Sequence, residues 1–222
     1  MQNVLALHPK PSVCGPVKTI VFDLGNVLLD INIDRVLQKM TELGIRKINS
    51  SDLYPHNTGV FTQLELGLIT EAEFVKAIQA SVEDGSEIPS HHAVIEAWNS
   101  VFDPYDWQRF HMLDRLRHAG YRLLVLSNTN EPHHVFFEED FNSKNPVGRT
   151  FASYFDAVYY SDEMQMNKPN LDIYQAVLER ESICASETLF IDDAILNVEA
   201  AAKLGIQVYH LEKGQYVLDL FE

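Results

Sequence analysis

Long apolar runs are missing from this chain: no uninterrupted stretch approaches the roughly 20 residues that a bilayer-spanning helix requires, so a membrane partner is not expected. Cysteine is scarce too. Only Cys14 and Cys184 occur, too few for a disulfide framework, and the simplest reading is two free thiols in a reducing cytoplasm, with a single bridge left open. Positive charge is also short, since 17 Lys and Arg face 32 Asp and Glu for a formal charge of −15. No basic stripe is present, which disfavours nucleic acid, because neutralising a phosphate backbone takes clustered cations. The first residues lack a basic n-region, a long apolar h-region and a small-residue cleavage site, so 1–17 read as a loose tail.

What is present is a chain of 222 residues, 46% apolar, enough to bury a substantial core. Four β-rich runs each end in polar residues: Thr19–Phe22 into Asp23, Tyr121–Leu126 into Ser127-Asn128, Phe155–Tyr160 into Ser161-Asp162, and Thr188–Ile191 into Asp192-Asp193. Gln207–Leu211 is a later strand without such an ending. Helical stretches lie between them. Asp103-Pro104 offers a cap and first-turn proline ahead of Trp107, Phe110, Leu113 and Leu116; two further stripes run Leu171–Leu178 and Ile195–Ala202. Alternating strands and helices of this length point to right-handed crossovers and a parallel sheet covered on both faces. The fold class is therefore α/β, a doubly wound parallel sheet.

Residues 32–102 break the alternation. They read as successive helices, including Asp34–Leu43, a capping box at Thr70-Glu71-Ala72-Glu73, and His91–Val101, with no convincing strand among them. This is a helical insertion, which leaves 18–31 and 103–222 as the core.

In open parallel sheets, ligands bind beyond the carboxyl ends of the strands, and there Asp23, Ser127-Asn128 and Asp192-Asp193 fall together. Acids and Ser-Asn pairs also terminate strands as ordinary turns, so each is weak alone. Clustered carboxylates repel by about 4 kcal/mol per pair at 4 Å and an effective dielectric near 20, so a cation must join them. Oxygen donors with no Cys or His at metal spacing select a hard ion, and Mg²⁺ is the common partner of phosphate sites. Lys168-Pro169 supplies a second cation.

The ordered stretches Val21-Phe22-Asp23-Leu24-Gly25-Asn26-Val27, Leu126-Ser127-Asn128, Lys168-Pro169 and Phe190-Ile191-Asp192-Asp193 resemble the four motifs of the haloacid dehalogenase superfamily. The resemblance runs from about Lys18 to the end of the chain. It implies that Asp23 is a nucleophile forming an aspartyl-phosphate, that Ser127 and the Asn128 amide bind phosphoryl oxygens, and that Lys168 pairs with both nucleophile and phosphate. It also implies Mg²⁺ ligation by Asp193, Asp23 and the Gly25 carbonyl, with Asp192 assisting and Asn197 behind them. The insertion corresponds to a mobile α-helical cap that closes over a small phosphorylated metabolite, with Phe61, Glu65, Gly67 and Trp98 as candidate contacts.

One departure stands out. Most phosphatases of this superfamily carry an acid two residues after the nucleophile, and here that position is Gly25. A general acid contributes roughly 10²- to 10⁴-fold, and its replacement could be water or Glu65, although Glu65 could equally be a solvated helix residue. Asp23-Leu24-Gly25-Asn26-Val27 followed by Asp30, with Leu126-Ser127-Asn128-Thr129-Asn130, looks most like a bacterial branch that includes an α-D-glucose 1-phosphate phosphatase. Two alternatives stay open: a catalytically weak phosphometabolite-binding protein, and a metal-independent 2-haloacid dehalogenase. The pairs His133-His134 and His91-His92 read as solvated helix starts, and Glu138-Glu139-Asp140 as an exposed face.

Overall fold

The computed structural model describes residues 16–48 and 59–221. Cys14 and most of the N-terminal tail thus lie outside the described residues, and Cys184 is exposed and free. Five parallel strands form one sheet in the order β3-β2-β1-β4-β5, with β1 Thr19–Phe22, β2 Arg122–Ser127, β3 Ala157–Tyr160, β4 Thr188–Asp192 and β5 Gln207–His210. β1 sits in the middle, flanked by β2 and β4. This order places the ends of β2, β1 and β4, which carry Ser127-Asn128, Asp23 and Asp192-Asp193, side by side.

The central strands β1, β2 and β4 are buried on both faces, and the period of two sorts their side chains into opposite cores. Ile20, Phe22, Leu123, Val125, Leu189 and Ile191 pack with Phe110, Leu113, Phe137 and Phe141 from helices α5 (Trp107–His118) and α6 (Glu131–Lys144). Val21, Leu124, Leu126 and Phe190 pack on the other side with Ile173, Tyr174, Val177, Ala200 and Ala201 from α7 (Leu171–Glu181) and α8 (Ile195–Ala202). At roughly 1.5–3 kcal/mol for each large side chain fully buried, these two layers hold the strand ends in fixed register.

The insertion has a third core of its own. Helices α1 (Ile33–Glu42), α2 (Val60–Glu65), α3 (Glu71–Gln79) and α4 (His91–Asn99) bring together Val36, Met40, Leu64, Phe74, Ile78, Val94 and Trp98. The capping box forms as the sequence indicates, with Thr70 and Glu73 bonding reciprocally. Chain exit and return meet at an antiparallel bridge between Ile31 and Phe102, and Arg35 reaches from α1 to Asp103 at 2.5 Å. That contact explains one difference from the sequence reading. Asp103 is engaged by Arg35, so Asp106 caps α5 instead and Pro104 lies before the helix.

Candidate active site

β1 delivers Asp23 one residue past its last paired position, where the backbone N–H of Asp23 still donates to Ile191 of β4 at 2.8 Å. The carboxylate is therefore aimed by the sheet rather than by a loop. Lys168, only 1% exposed, sits between two acids: its Nζ lies 2.7 Å from Asp23 Oδ1 and 2.7 Å from Asp192 Oδ2. Burial works against the ammonium, but the charges of Asp192 and Asp23 outweigh it and hold the Lys168 pKa above its ordinary value. Burial first, and the charge of Asp192 next, push Asp23 up to about 7 against the opposing pull of Lys168.

The loop carrying Lys168 is pinned by Asn128. Its side-chain oxygen accepts from the Lys168 N–H and its Nδ2 donates to the Lys168 carbonyl, both at 2.9 Å. The Asn128 side chain thus fixes the lysine loop, and Asn128 and the buried Ser127 at the β2 end both line the cavity. Asp192 is wholly buried, and both its oxygens are committed: Oδ1 accepts from Ala194 N–H at 2.8 Å and from Asn197 Nδ2, and Oδ2 accepts from Asn197 and Lys168. Tyr174 in turn donates to the Asn197 carbonyl at 3.0 Å. Asn197 therefore stands behind Asp192.

One oxygen from each of Asp23, Asp192 and Asp193 lies within 4.8 Å of the others. Asn26 Nδ2 donates to Asp193 Oδ2 at 2.9 Å, from a backbone held at φ 55°, a left-handed conformation that asparagine tolerates better than most residues. Burial raises the Asp193 carboxyl above its usual range. Three carboxylates against one ammonium leave two negative charges unmatched, which fits a divalent cation. The all-oxygen donor set fits a hard one. Asp192 is thus committed to Lys168, Asn197 and Ala194, whereas Asp23 meets Lys168 through Oδ1 and Asp193 accepts from Asn26 through Oδ2.

Beside this cluster lies a cavity of about 160 Å³ whose floor includes Gly25, Ser127 and Asn128 and whose roof includes Phe61, Glu65 and Trp98 of the insertion. Phe61 is both wall and packing partner, 5.4 Å from the Trp98 ring and 5.6 Å from Phe74. Three contacts tie the end of α2 to the sheet domain. Ser161 donates to the Glu65 carbonyl at 2.8 Å, Asn167 donates to Glu65 Oε1 at 3.1 Å, and Gly67 passes so close to Asp162 that a Cβ there would meet its carbonyl at 2.3 Å. Gly67 also has φ 62°. Gly67→Ala is therefore expected to destabilise the fold by about 1–3 kcal/mol, read by urea unfolding, and to raise KM.

Two sequence readings are corrected here. His133 is not a solvated helix start: its ring stacks on Trp98 at 4.5 Å and closes a hydrogen-bond ring in which Trp98 donates to Asn130, Asn130 to His133 Nδ1, and His133 Nε2 to the Trp98 carbonyl. Burial lowers its pKa to about 4, so it is neutral at pH 7. His134 pairs with Asp162 at 3.1 Å and stacks on Tyr160. The acidic run is likewise only partly solvated, as Glu138 accepts from the Tyr160 hydroxyl and Asp140 from Tyr105. Both signals were hidden because their partners lie far along the chain.

Residues 17–205 match the profile of the haloacid dehalogenase-like hydrolases. The chain belongs to this family. Among curated proteins, this haloacid dehalogenase-like hydrolase is 31% identical over 201 residues to a D-ribitol-5-phosphate phosphatase of Bacteroides thetaiotaomicron, spanning 89% of this chain and 93% of that one. It is 26% identical over 202 residues to a sesquiterpene phosphatase of Aspergillus oryzae, spanning 90% and 92%. A solved structure of a haloacid dehalogenase family enzyme from Bacteroides thetaiotaomicron, in complex with magnesium and inorganic phosphate, superposes with a TM-score of 0.80 at 32% identity, covering 89% of this chain and 96% of that one. Among the described residues, no helix of this hydrolase is long and apolar enough to cross a membrane.

Proposed function

We propose that this hydrolase is a Mg²⁺-dependent phosphatase of small phosphate monoesters, sugar or polyol phosphates foremost, acting through an aspartyl-phosphate on Asp23. The observation that carries the reading is the salt-bridged centre: Lys168 held 2.7 Å from both Asp23 and Asp192, with the Asp193 carboxylate alongside. Asp23 Oδ attacks phosphorus, the ester P–O bond breaks, and water then attacks the aspartyl-phosphate to return Asp23 and release phosphate. Lys168 holds the nucleophile and counters the phosphoryl charge, while the Ser127 hydroxyl and Asn128 amide receive phosphoryl oxygens. Asp193, Asp23 and the Gly25 carbonyl would hold Mg²⁺, with Asp192 and Asn197 positioning Lys168 and the metal ligands. When bound, Mg²⁺ supplies charge neutralisation of the carboxylates and the phosphoryl group.

The helical unit 32–102 acts as the cap over the core of 18–31 and 103–222 in this reading. Its Phe61 and Glu65 meet the part of the substrate that does not react. The cavity of about 160 Å³ is smaller than the ~300–1,000 Å³ typical of drug-sized sites, which favours a substrate of few carbons. Its apolar side, formed by Ile31, Ile33, Val36 and Val101, favours a second reading in which the substrate carries an alkyl end. A 2-haloacid dehalogenase, which needs no metal, is disfavoured, since two further acids beside its carboxylate nucleophile would only repel it.

Orthophosphate release from a panel comprising ribitol 5-phosphate, glucose 1-phosphate and short alkyl and prenyl phosphates, with Mg²⁺ and with chelator, tests the proposal. Turnover of at least one polyol or sugar phosphate is expected, falling by at least about 100-fold in chelator. Preference for the alkyl phosphates would select the second reading. No release from any substrate would leave only a binding protein, and turnover of 2-chloropropionate in chelator would establish the dehalogenase.

A further inference from the structure

An alkoxide leaving group needs a proton, and Gly25 offers none. Nor could an acid be restored there without movement, because a Cβ on Gly25 would lie 3.2 Å from Ile31 Cδ1. We propose that Glu65, reaching down from the helical insertion, is the general acid–base of this site, an assignment that rests on the phosphatase reading above.

Placement is the main argument. Glu65 lines the same cavity as Gly25, Ser127 and Asn128, so it borders the space into which the phosphoryl-binding residues open. Its Oε1 accepts from Asn167, the residue immediately before Lys168, which tethers the acid to the loop that also holds the nucleophile's partner. Its main chain is clamped independently. Ser161 donates to the Glu65 carbonyl, and the same Ser161 hydroxyl accepts from the Thr129 N–H at 2.9 Å, joining the end of α2 to the β2 and β3 ends. Gly67 adds the close approach to Asp162. A solvated helix residue has no need of this bracing.

The electrostatics agree. The charged and titratable groups facing Glu65 are Lys168 from the core loop, which favours the carboxylate, and neutral His133 from α6, which lines the same cavity. Burial prevails over both the Asn167 bond and Lys168, raising the carboxyl to about 6. At neutral pH a usable fraction is thus protonated, the condition for an effective acid that must also serve as a base.

The proton balance closes over two steps. As Asp23 Oδ bonds to phosphorus, the departing ester oxygen takes the Glu65 proton and leaves as an alcohol. Glu65, now a carboxylate, takes a proton from the water that attacks the aspartyl-phosphate, and the Asp23–P bond breaks to release phosphate. Glu65 is then protonated again.

Glu65→Gln tests this, because Gln retains an oxygen for Asn167 and loses only the transferable proton. First-turnover rates are compared on two substrates: an alkyl phosphate such as ribitol 5-phosphate, and p-nitrophenyl phosphate, whose phenolate departs without a proton. The variant is expected to slow the alkyl burst by about 100-fold or more while leaving the nitrophenolate burst within about 5-fold of wild type. The basic limb of the wild-type pH profile on the alkyl substrate should disappear with it. Equal slowing of both bursts would mark a structural clamp and overturn the assignment, as would no slowing of either. Carboxyl ¹³C titration of the metal-free protein should place Glu65 near 6, and an ordinary carboxylate value would count against it. A wild-type protein that turns over neither substrate would instead sink the phosphatase reading, and this role with it.

Discussion

Asp23→Asn is expected to lower kcat by at least about 10⁴-fold, because an amide oxygen at that position can no longer bond to phosphorus and leave again. The loss should be specific to chemistry. The variant keeps an oxygen for Lys168 Nζ, and its N–H still donates to Ile191 at 2.8 Å, so circular dichroism and substrate binding should persist. Stability even has reason to rise. Burial and Asp192 raise the folded pKa of Asp23 to about 7, so its contribution is fully present below the unfolded carboxylate pKa and is lost as pH rises through about 7. In metal-free protein at pH 8, urea unfolding should find Asp23→Asn at least as stable as wild type, with the difference shrinking towards pH 5. A variant with near-wild-type turnover would refute the nucleophile assignment.

Lys168→Met removes the cation from a site where it is almost wholly buried between two acids. Deleting one member of a buried ionic set costs about 3–5 kcal/mol, since the remaining charges are left without compensation. The direction with pH follows from the same charges. Without Lys168 the Asp23 carboxyl, already raised by burial and by the charge of Asp192, is pushed further up, so the defect should be largest at pH 8.5, smaller at pH 5.5, and partly relieved by Mg²⁺. Thermal unfolding at those two pH values, each with and without the metal, reads all three effects. Activity should be lost in every condition. A defect below about 1 kcal/mol that ignores pH would mean that the ionic centre is not as tightly coupled as its distances imply.

The sheet was legible because four of its five strands carry their own boundaries: each is a short apolar run stopped by polar residues. The site was legible for a related reason, since Asp23, Ser127, Asn128, Lys168, Asp192 and Asp193 lie at strand or loop ends that a doubly wound topology must gather. What escaped the sequence were contacts made across long separations. His133 looked solvated because Trp98, which it stacks upon, belongs to the insertion, and nothing local announces that neighbour. Asp103 looked like a cap until Arg35 claimed it. Asn26, braced against Asp193 from a left-handed backbone, carried no signal beyond its place in the motif. The hold of the Asn128 side chain on the lysine loop also emerged only in three dimensions.

The charge pattern of the whole site now has one reading. Lys168 balances one of three carboxylates, a divalent ion would balance the other two, and Asn197 and Asn26 hold Asp192 and Asp193 in their places. With both cations present, a phosphate dianion can approach Asp23 instead of being repelled by it.

Trapping the covalent intermediate is the most direct test of that account. Protein quenched during turnover and reduced with borohydride should yield, by peptide mass spectrometry, homoserine at position 23, the product of reducing an aspartyl-phosphate there. Turnover with Asp23 unmodified, or with the reduced residue at any other position, would contradict it.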